Sequence, residues 1–192
     1  MNFATADRSA RVEVELAKAY RLLNHGPTVL VGARHGGVRN VMAAAWNMPL
    51  DFTPPKIAVV IDKSTFTRGL VEASGRFTLS VPCRAQAALV TRIGACSGRE
   101  IDKAATLDGL RYADIPDATL VEGCVAWLDC RLLPEPQLQQ NYDLFLGEVT
   151  AAWADPRVWR AGRWVFDGHD ELRTLHHVAG GNYFLPGAMV SG

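Results

Sequence analysis

The sequence predicts a mainly β protein with α elements, an antiparallel β-barrel with two or three inserted helices, and three observations carry that prediction. Two apolar, β-branched runs, Thr28 to Ala33 and Arg39 to Trp46, flank the turn Arg34-His35-Gly36-Gly37, and a third run, Lys56 to Ile61, follows the pair Pro54-Pro55. That is the pattern of a hairpin plus the next antiparallel strand. The remaining strands and helices do not alternate strictly, which argues against a doubly wound sheet. No Gly-x-Gly-x-x-Gly follows a strand, and Gly94-Ala95-Cys96-Ser97-Gly98 has the spacing of neither a dinucleotide fingerprint nor a P-loop.

In chain order, Val12 to Leu23 has apolar residues close to helical spacing and stops at Asn24-His25-Gly26-Pro27, giving an N-terminal helix over about residues 10–24. After Ile61, the cluster Ser64-Thr65-Phe66-Thr67 offers N-cap hydroxyls to a helix that Gly75 ends. Arg76 to Val81 alternates as a strand and Pro82 closes it. Arg84 to Ile93 reads as a helix ended by Gly94. Ser97 and Glu100 stand at capping-box spacing, which would start a short helix whose N-terminus, with Arg99 and Lys103, could hold an anion or could simply be a capped, solvated helix end. Asp108 to Gly123 is loop-like. Val125 to Leu133 and Tyr142 to Trp153 form an antiparallel pair across a glutamine-rich loop. The tail, about residues 159–192, carries Trp164, Phe166, Leu172, Leu175 and Tyr183-Phe184, too apolar to be disordered, and should dock on its own domain or across a dimer interface.

A chain of 192 residues supports one sizeable core, so residues 1–192 read as one domain with appendages. Its 20 basic and 20 acidic side chains cancel, so no global field draws it to nucleic acid or membrane, and any anion site must be local. Charges and prolines interrupt every apolar run short of a membrane span, and residues 1–8 lack the apolar core of a secretory signal. The expectation is a soluble cytoplasmic protein. Cys83, Cys96, Cys124 and Cys130 form no Cys-x-x-Cys pair, and His176-His177 are neighbours that point apart, so no metal site is expected.

The run Met42-Ala43-Ala44-Ala45-Trp46 is odd for a strand, because alanines give it little to pack. Either a flat ligand lies close to the backbone there, with Trp46 closing one end, or the alanines pack against a helix.

Taken together, Arg39-Asn40-Val41-Met42-Ala43-Ala44-Ala45-Trp46, Ser64-Thr65-Phe66-Thr67, Ser80-Val81-Pro82, Ser97-Gly98-Arg99-Glu100-Ile101-Asp102-Lys103 and Gly147-Glu148-Val149 resemble the flavin reductase-like family, and within it the flavoredoxins. The tail His176-His177-x-x-Gly180-Gly181-x-Tyr183 is also similar. The resemblance implies an FMN-binding split β-barrel, a homodimer with flavin at the subunit junction, and noncovalent FMN. It places the isoalloxazine ring against Met42, Ala43, Ala44, Ala45 and Trp46, with Asn40 hydrogen-bonding its polar edge. Ser64, Thr65 and Thr67 fall near the phosphate and ribityl chain, with Val81 and Pro82 also in the cofactor motifs. Ser97, Gly98, Arg99 and Lys103 complete the phosphate site. Tyr183 covers the ring or is a core or interface aromatic.

The chain departs from the family in carrying Asn141-Tyr142 where relatives often have a histidine, and Cys96 where a valine is usual. Nothing obvious beyond the nearby basic pair would activate Cys96, which reads as a packed small residue. No side chain in the motifs is an obligatory acid or base, so no catalytic residue is expected. The implied function is an NAD(P)H-dependent flavin reductase, NAD(P)H being a transient electron donor. The alternatives are a flavoredoxin-like electron carrier served by a partner protein and a non-redox flavin-binding module.

Overall fold

The computed structural model describes residues 11–113 and 115–192. In order, its elements are β1 (Val12–Glu13), a 3-10 helix (Leu16–Leu22), β2 (Val29–His35), β3 (Val38–Ala44), β4 (Asn47–Phe52), β5 (Pro55–Val60), α1 (Phe66–Ser74) and β6 (Arg76–Val81). A 3-10 turn (Arg84–Gln86) leads into α2 (Ala87–Ala95), then come α3 (Lys103–Thr106), β7 (Ala126–Leu133), α4 (Pro136–Tyr142) and β8 (Leu144–Ala154). The tail adds β9 (Trp159–Arg160), β10 (Arg163–Trp164), a 3-10 turn (Asp170–Leu172), β11 (His176–Ala179) and β12 (Asn182–Phe184).

The main sheet is antiparallel, in the order β3-β2-β6-β7-β8-β5-β4, with β1 pairing the far end of β8. Among the described residues its two edge strands, β3 and β4, are joined by Ala45-Trp46 without a ladder between them, so the barrel is split at that seam. One core fills the curl, with Val29, Val31, Leu79, Leu128 and Phe145 fully buried. The other face of β2 and β7 turns Leu30 and Trp127 into a second core, closed by Leu89, Val90 and Ile93 of α2 and by Leu120 and Val121. Burial on both faces explains why β2 reads as a continuous apolar run and does not alternate. Gly147 is dictated by packing: a Cβ there would lie 2.5 Å from Phe77 Cζ inside the barrel.

Three expectations are corrected, and one strand is added. The N-terminal helix is a two-residue strand followed by a 3-10 helix, and its expected first residue lies outside the described ones. β4 is an element to which the sequence pattern assigned nothing, and its Pro49 is tolerated because an edge strand can spare an N–H. The glutamine-rich loop is α4, which buries no residue and so shows no apolar period. The capping box at Ser97 does not form: Ser97 Oγ accepts from Arg99 N in a turn, and the helix begins at Lys103, capped by Asp102 Oδ1. Smaller shifts follow the same local competition, for α2 runs through Gly94 to Ala95, and Thr65 Oγ1 donates back to Asp62 O and leaves α1 uncapped.

The tail docks on its own chain. Leu172 enters the first core and Leu175 the second, and Trp164 stacks on Phe166 while its Nε1 donates to Arg21 O. Against it lies a histidine pair, His25 and His176, both within hydrogen-bond distance of the buried Thr174 hydroxyl. Burial, helped by His176, draws the His25 imidazole down to about 4. Burial lowers His176 as well. A histidine lowered on folding binds fewer protons folded than unfolded, so its contribution is whole above about pH 6.5 and is lost as the pH falls toward 4. For one such group the loss is at most about 1.4 kcal/mol per pH unit. Urea unfolding across that window should show the slope, and His25→Phe should flatten it.

Candidate functional site

The seam between β3 and β4 opens into a cleft of about 680 Å³. One wall is the end of β3 and its turn, Met42, Ala43, Ala44, Ala45 and Trp46. A second is the cleft-facing side of α2, with Val90, Thr91, Gly94 and Ala95. The β11–β12 hairpin supplies His177, Gly180, Gly181 and Tyr183, and Val60, Asp62, Tyr142 and Asp143 complete the opposite rim. The volume falls within the range of ligand and cofactor sites.

Small residues make the space. An added Cβ at Gly94 would come into ordinary contact with the Ala43 methyl at 3.7 Å, so the missing side chain is what leaves space between α2 and β3. Tyr183 stands on the hairpin side, its hydroxyl 3.1 Å from Thr91 Oγ1 and its ring edge-on to His177. The hairpin is held at its base by His177 N donating to Thr28 Oγ1.

Just beyond the cleft, the loop that carries Asp62 and the loop that follows α2 approach one another. Arg99 Nη1 donates to Ser64 O at 2.6 Å, and Ser64 N is held by Asp62 Oδ1. Gly98 seats against Asn40: a Cβ there would lie 2.5 Å from Asn40 Oδ1 and 2.7 Å from Phe66 Cδ1. Asn40 is buried, and its Nδ2 donates to Thr67 Oγ1 at 2.9 Å. The two loops therefore present Ser64, Ser97 and the exposed Arg99 together, while Asn40, Thr67 and Gly98 brace them from behind.

Of the residues singled out from sequence, the structure gathers Met42 to Trp46 and Tyr183 in the cleft and Ser64, Thr65, Ser97, Gly98 and Arg99 beside it. Asn40 and Thr67 act from beneath, bonded to each other. Val81 lies in the barrel core at 0 % exposure, and Pro82 follows it into the buried interior. Lys103 is placed differently from the expectation. The residue is 4 % exposed, and its ammonium donates to Ile93 O at 2.8 Å and Val41 O at 3.0 Å, tying the end of α2 to β3. Burial lowers its pKa. Cys96 donates its thiol to Arg92 O in an ordinary helix-end contact.

Sequence reasoning missed Thr28, Val60, Asp62, Val90, Thr91, Asp143 and His177 as cleft residues. Only the small pair Gly94-Ala95 and the Gly180-Gly181 turn left a signal, since glycine marks a close approach or a positive φ.

The arrangement suits a flat ring with an anionic tail: small apolar walls, an aromatic at each end, and backbone turns with a guanidinium where the tail would lie. FMN would fit these residues, with its ring along Ala43 to Ala45 and its phosphate toward Arg99, Ser64 and Ser97. The space that Gly94 leaves opposite Ala43 is the observation that permits it.

The comparisons with known proteins agree with this geometry. Residues 21–170 match the model of the flavin reductase like domain. The chain is 44% identical over 184 residues to the uncharacterized protein YddH of Escherichia coli, covering 94% of this chain and 97% of that one. It superposes on an FMN-binding domain of a flavin reductases-like enzyme from Shewanella baltica with a TM-score of 0.92 at 48% identity, covering 95% of this chain and 97% of that one. With flavoredoxin of Desulfovibrio vulgaris the TM-score is 0.73 at 25% identity, covering 100% and 97%. A mainly β barrel split at one seam, a cleft lined by alanines and a family match over most of the length lead to one assignment: the chain belongs to the flavin reductase-like family.

Proposed function

We propose that the protein is an FMN-dependent oxidoreductase that takes reducing equivalents from NAD(P)H and works as a homodimer. The observation that carries the proposal is the alanine-walled cleft, continuous with the Arg99 loops. Bound FMN would supply the hydride and electron chemistry. The chain's own part is to bind and orient. Met42 to Ala45 bring the ring close to backbone, Trp46 and Tyr183 flank it, and Ser64, Ser97 and Arg99 hold the phosphate by charge-assisted hydrogen bonds. The open rim leaves one ring face accessible to a nicotinamide held within reacting distance.

Two further features support the dimer and its setting. Met48, Leu50 and Phe52 point outward in alternation along the edge strand β4, next to Trp46, an apolar stripe suited to a second copy at the cleft's rim. Four unpaired cysteines, three of them buried, suit a reducing cytoplasm.

One observation favours an electron carrier as the second reading. The cleft lining holds two carboxylates, Asp62 and Asp143, and no lysine or arginine to receive a dinucleotide's pyrophosphate. A single preparation separates the readings. The protein should retain FMN through desalting, run at about twice its 20.9 kDa chain mass, and oxidise NADH or NADPH above the no-enzyme rate. Loss of flavin on desalting sinks the proposal, whereas flavin retained without nicotinamide oxidation transfers it to the carrier.

A further inference from the structure

A second cavity, of about 460 Å³, opens at the far end of the β2–β3 hairpin from the cleft, and the proposed function makes no use of it. Strand register builds its floor: Gly32, Thr78 and Asp129 stand side by side across β2, β6 and β7. Side chains two residues apart share a face of a sheet, so Arg34 and Arg76 form the next row on that face. Gly32 lets the loop of Asp117 and Thr119 close over β2, since a Cβ there would lie 2.3 Å from Thr119 O, which accepts from Thr78 Oγ1 at 2.7 Å.

The polar groups of this floor are incomplete. Asp129 is 7 % exposed; its Oδ2 accepts from Arg76 Nη2, but its buried Oδ1 has no hydrogen-bond partner among the described residues. Thr119 Oγ1, also buried, has none either. Arg131, beside Arg76 on the same face, is taken by Glu148, and Arg76 by Asp129. Arg34 and Asp117 are exposed at the rim with His35 and form no ion pair among the described residues.

We infer that this cavity is a binding site for a small zwitterion of the α-amino-acid type, its ammonium donating to Asp129 and the Thr119 hydroxyl and its carboxylate meeting Arg34. A buried carboxylate oxygen without a donor calls for a hydrogen-bond donor from the ligand. A simple anion would be repelled by that carboxylate, and a simple cation by Arg34 and Arg76. A molecule carrying both signs satisfies both sides. Arg76, with nearly half of its side chain exposed, is the cover that turns outward to admit the ammonium.

Norvaline, butylamine and pentanoate test it, sharing one carbon skeleton and carrying both charges, the ammonium alone and the carboxylate alone. Each is titrated into the isotope-labelled full chain and followed by amide chemical shifts, which also locate the ligand. Norvaline should shift the amides of Thr78, Thr119 and Asp129 saturably, with butylamine and pentanoate each weaker by about threefold or more, the scale of an exposed ion pair. Asp129→Asn should weaken norvaline by about tenfold, as expected for a hydrogen bond to a buried charge. Arg34→Gln, at an exposed position that the fold does not depend on, should weaken norvaline and pentanoate by about threefold and leave butylamine no weaker. The inference is overturned if norvaline gives no saturable shift, if either single-charge probe binds as tightly, if Arg34→Gln leaves the titrations unchanged, or if the shifts are confined to the cleft at Ala43 to Trp46. Retention of flavin plays no part in these readouts, so this inference and the flavin reading fail separately.

Discussion

Replacing Arg68 by methionine should cost about 3–5 kcal/mol of stability, the range found when one partner of a buried ion pair is removed. The side chain is only 10 % exposed and Asp143 only 15 %, so water can take over little of the carboxylate, which would keep only Lys63 as a cation, 4.0 Å from its Oδ1. Gln139 O and Ile61 O would lose a donor at the same time, and the guanidinium's contact with the Phe145 ring, 5.1 Å from its centroid, would go as well. Arg68→Lys should recover little, because an ammonium cannot reproduce a planar fork serving Glu72, Asp143 and Gln139 in different directions. Urea unfolding measures the loss. Amide exchange adds a separate readout, since α4 has no buried residue of its own and should lose protection well before the barrel strands do. A loss below about 1 kcal/mol would place Arg68 with ordinary surface ion pairs.

That hub also shows where the sequence stopped being readable. β2, β3, β5, β6, β7 and most of β8 were legible because their β-branched runs are bounded by Gly-Gly, proline or charged turns. β4 was not, since a proline and three outward apolar residues look like a loop until its edge position is known. α4 was not, because a helix that buries nothing has no hydrophobic period. The alanine run announced the cleft, and its conflict with strand propensity is what a functional site should produce. The other walls come from α2, β11–β12 and the end of α4, which only the three-dimensional packing brings to β3. Ser97 and Glu100 illustrate the limit at short range: capping-box spacing was present, but Asp102 captured the helix start five residues on. Lys103 illustrates it at long range. Its presence in the phosphate motif could be read, whereas the direction of its side chain, toward two buried carbonyls, could not.

That difference separates two variants by ligand. Arg99→Ala should weaken FMN binding by about 1.5–3 kcal/mol, the worth of a hydrogen bond to a charged group, and leave riboflavin nearly unaffected, because riboflavin lacks the phosphate. Arg99 is exposed and held toward Ser64 O at 2.6 Å, so its charge is available at the surface where the two loops meet. Lys103→Met should behave otherwise. It removes the donor shared by Ile93 O and Val41 O, loosening the joint between α2 and β3 that forms two walls of the cleft, and so should weaken FMN and riboflavin alike while lowering stability by about 1–3 kcal/mol. The sequence motif alone predicts a phosphate-selective loss for both variants, so the pair of titrations discriminates. Equal losses for both flavins in Arg99→Ala would move the phosphate away from the Ser64–Arg99 loops. A loss confined to FMN in Lys103→Met would mean that the ammonium leaves its two carbonyls when the cofactor binds.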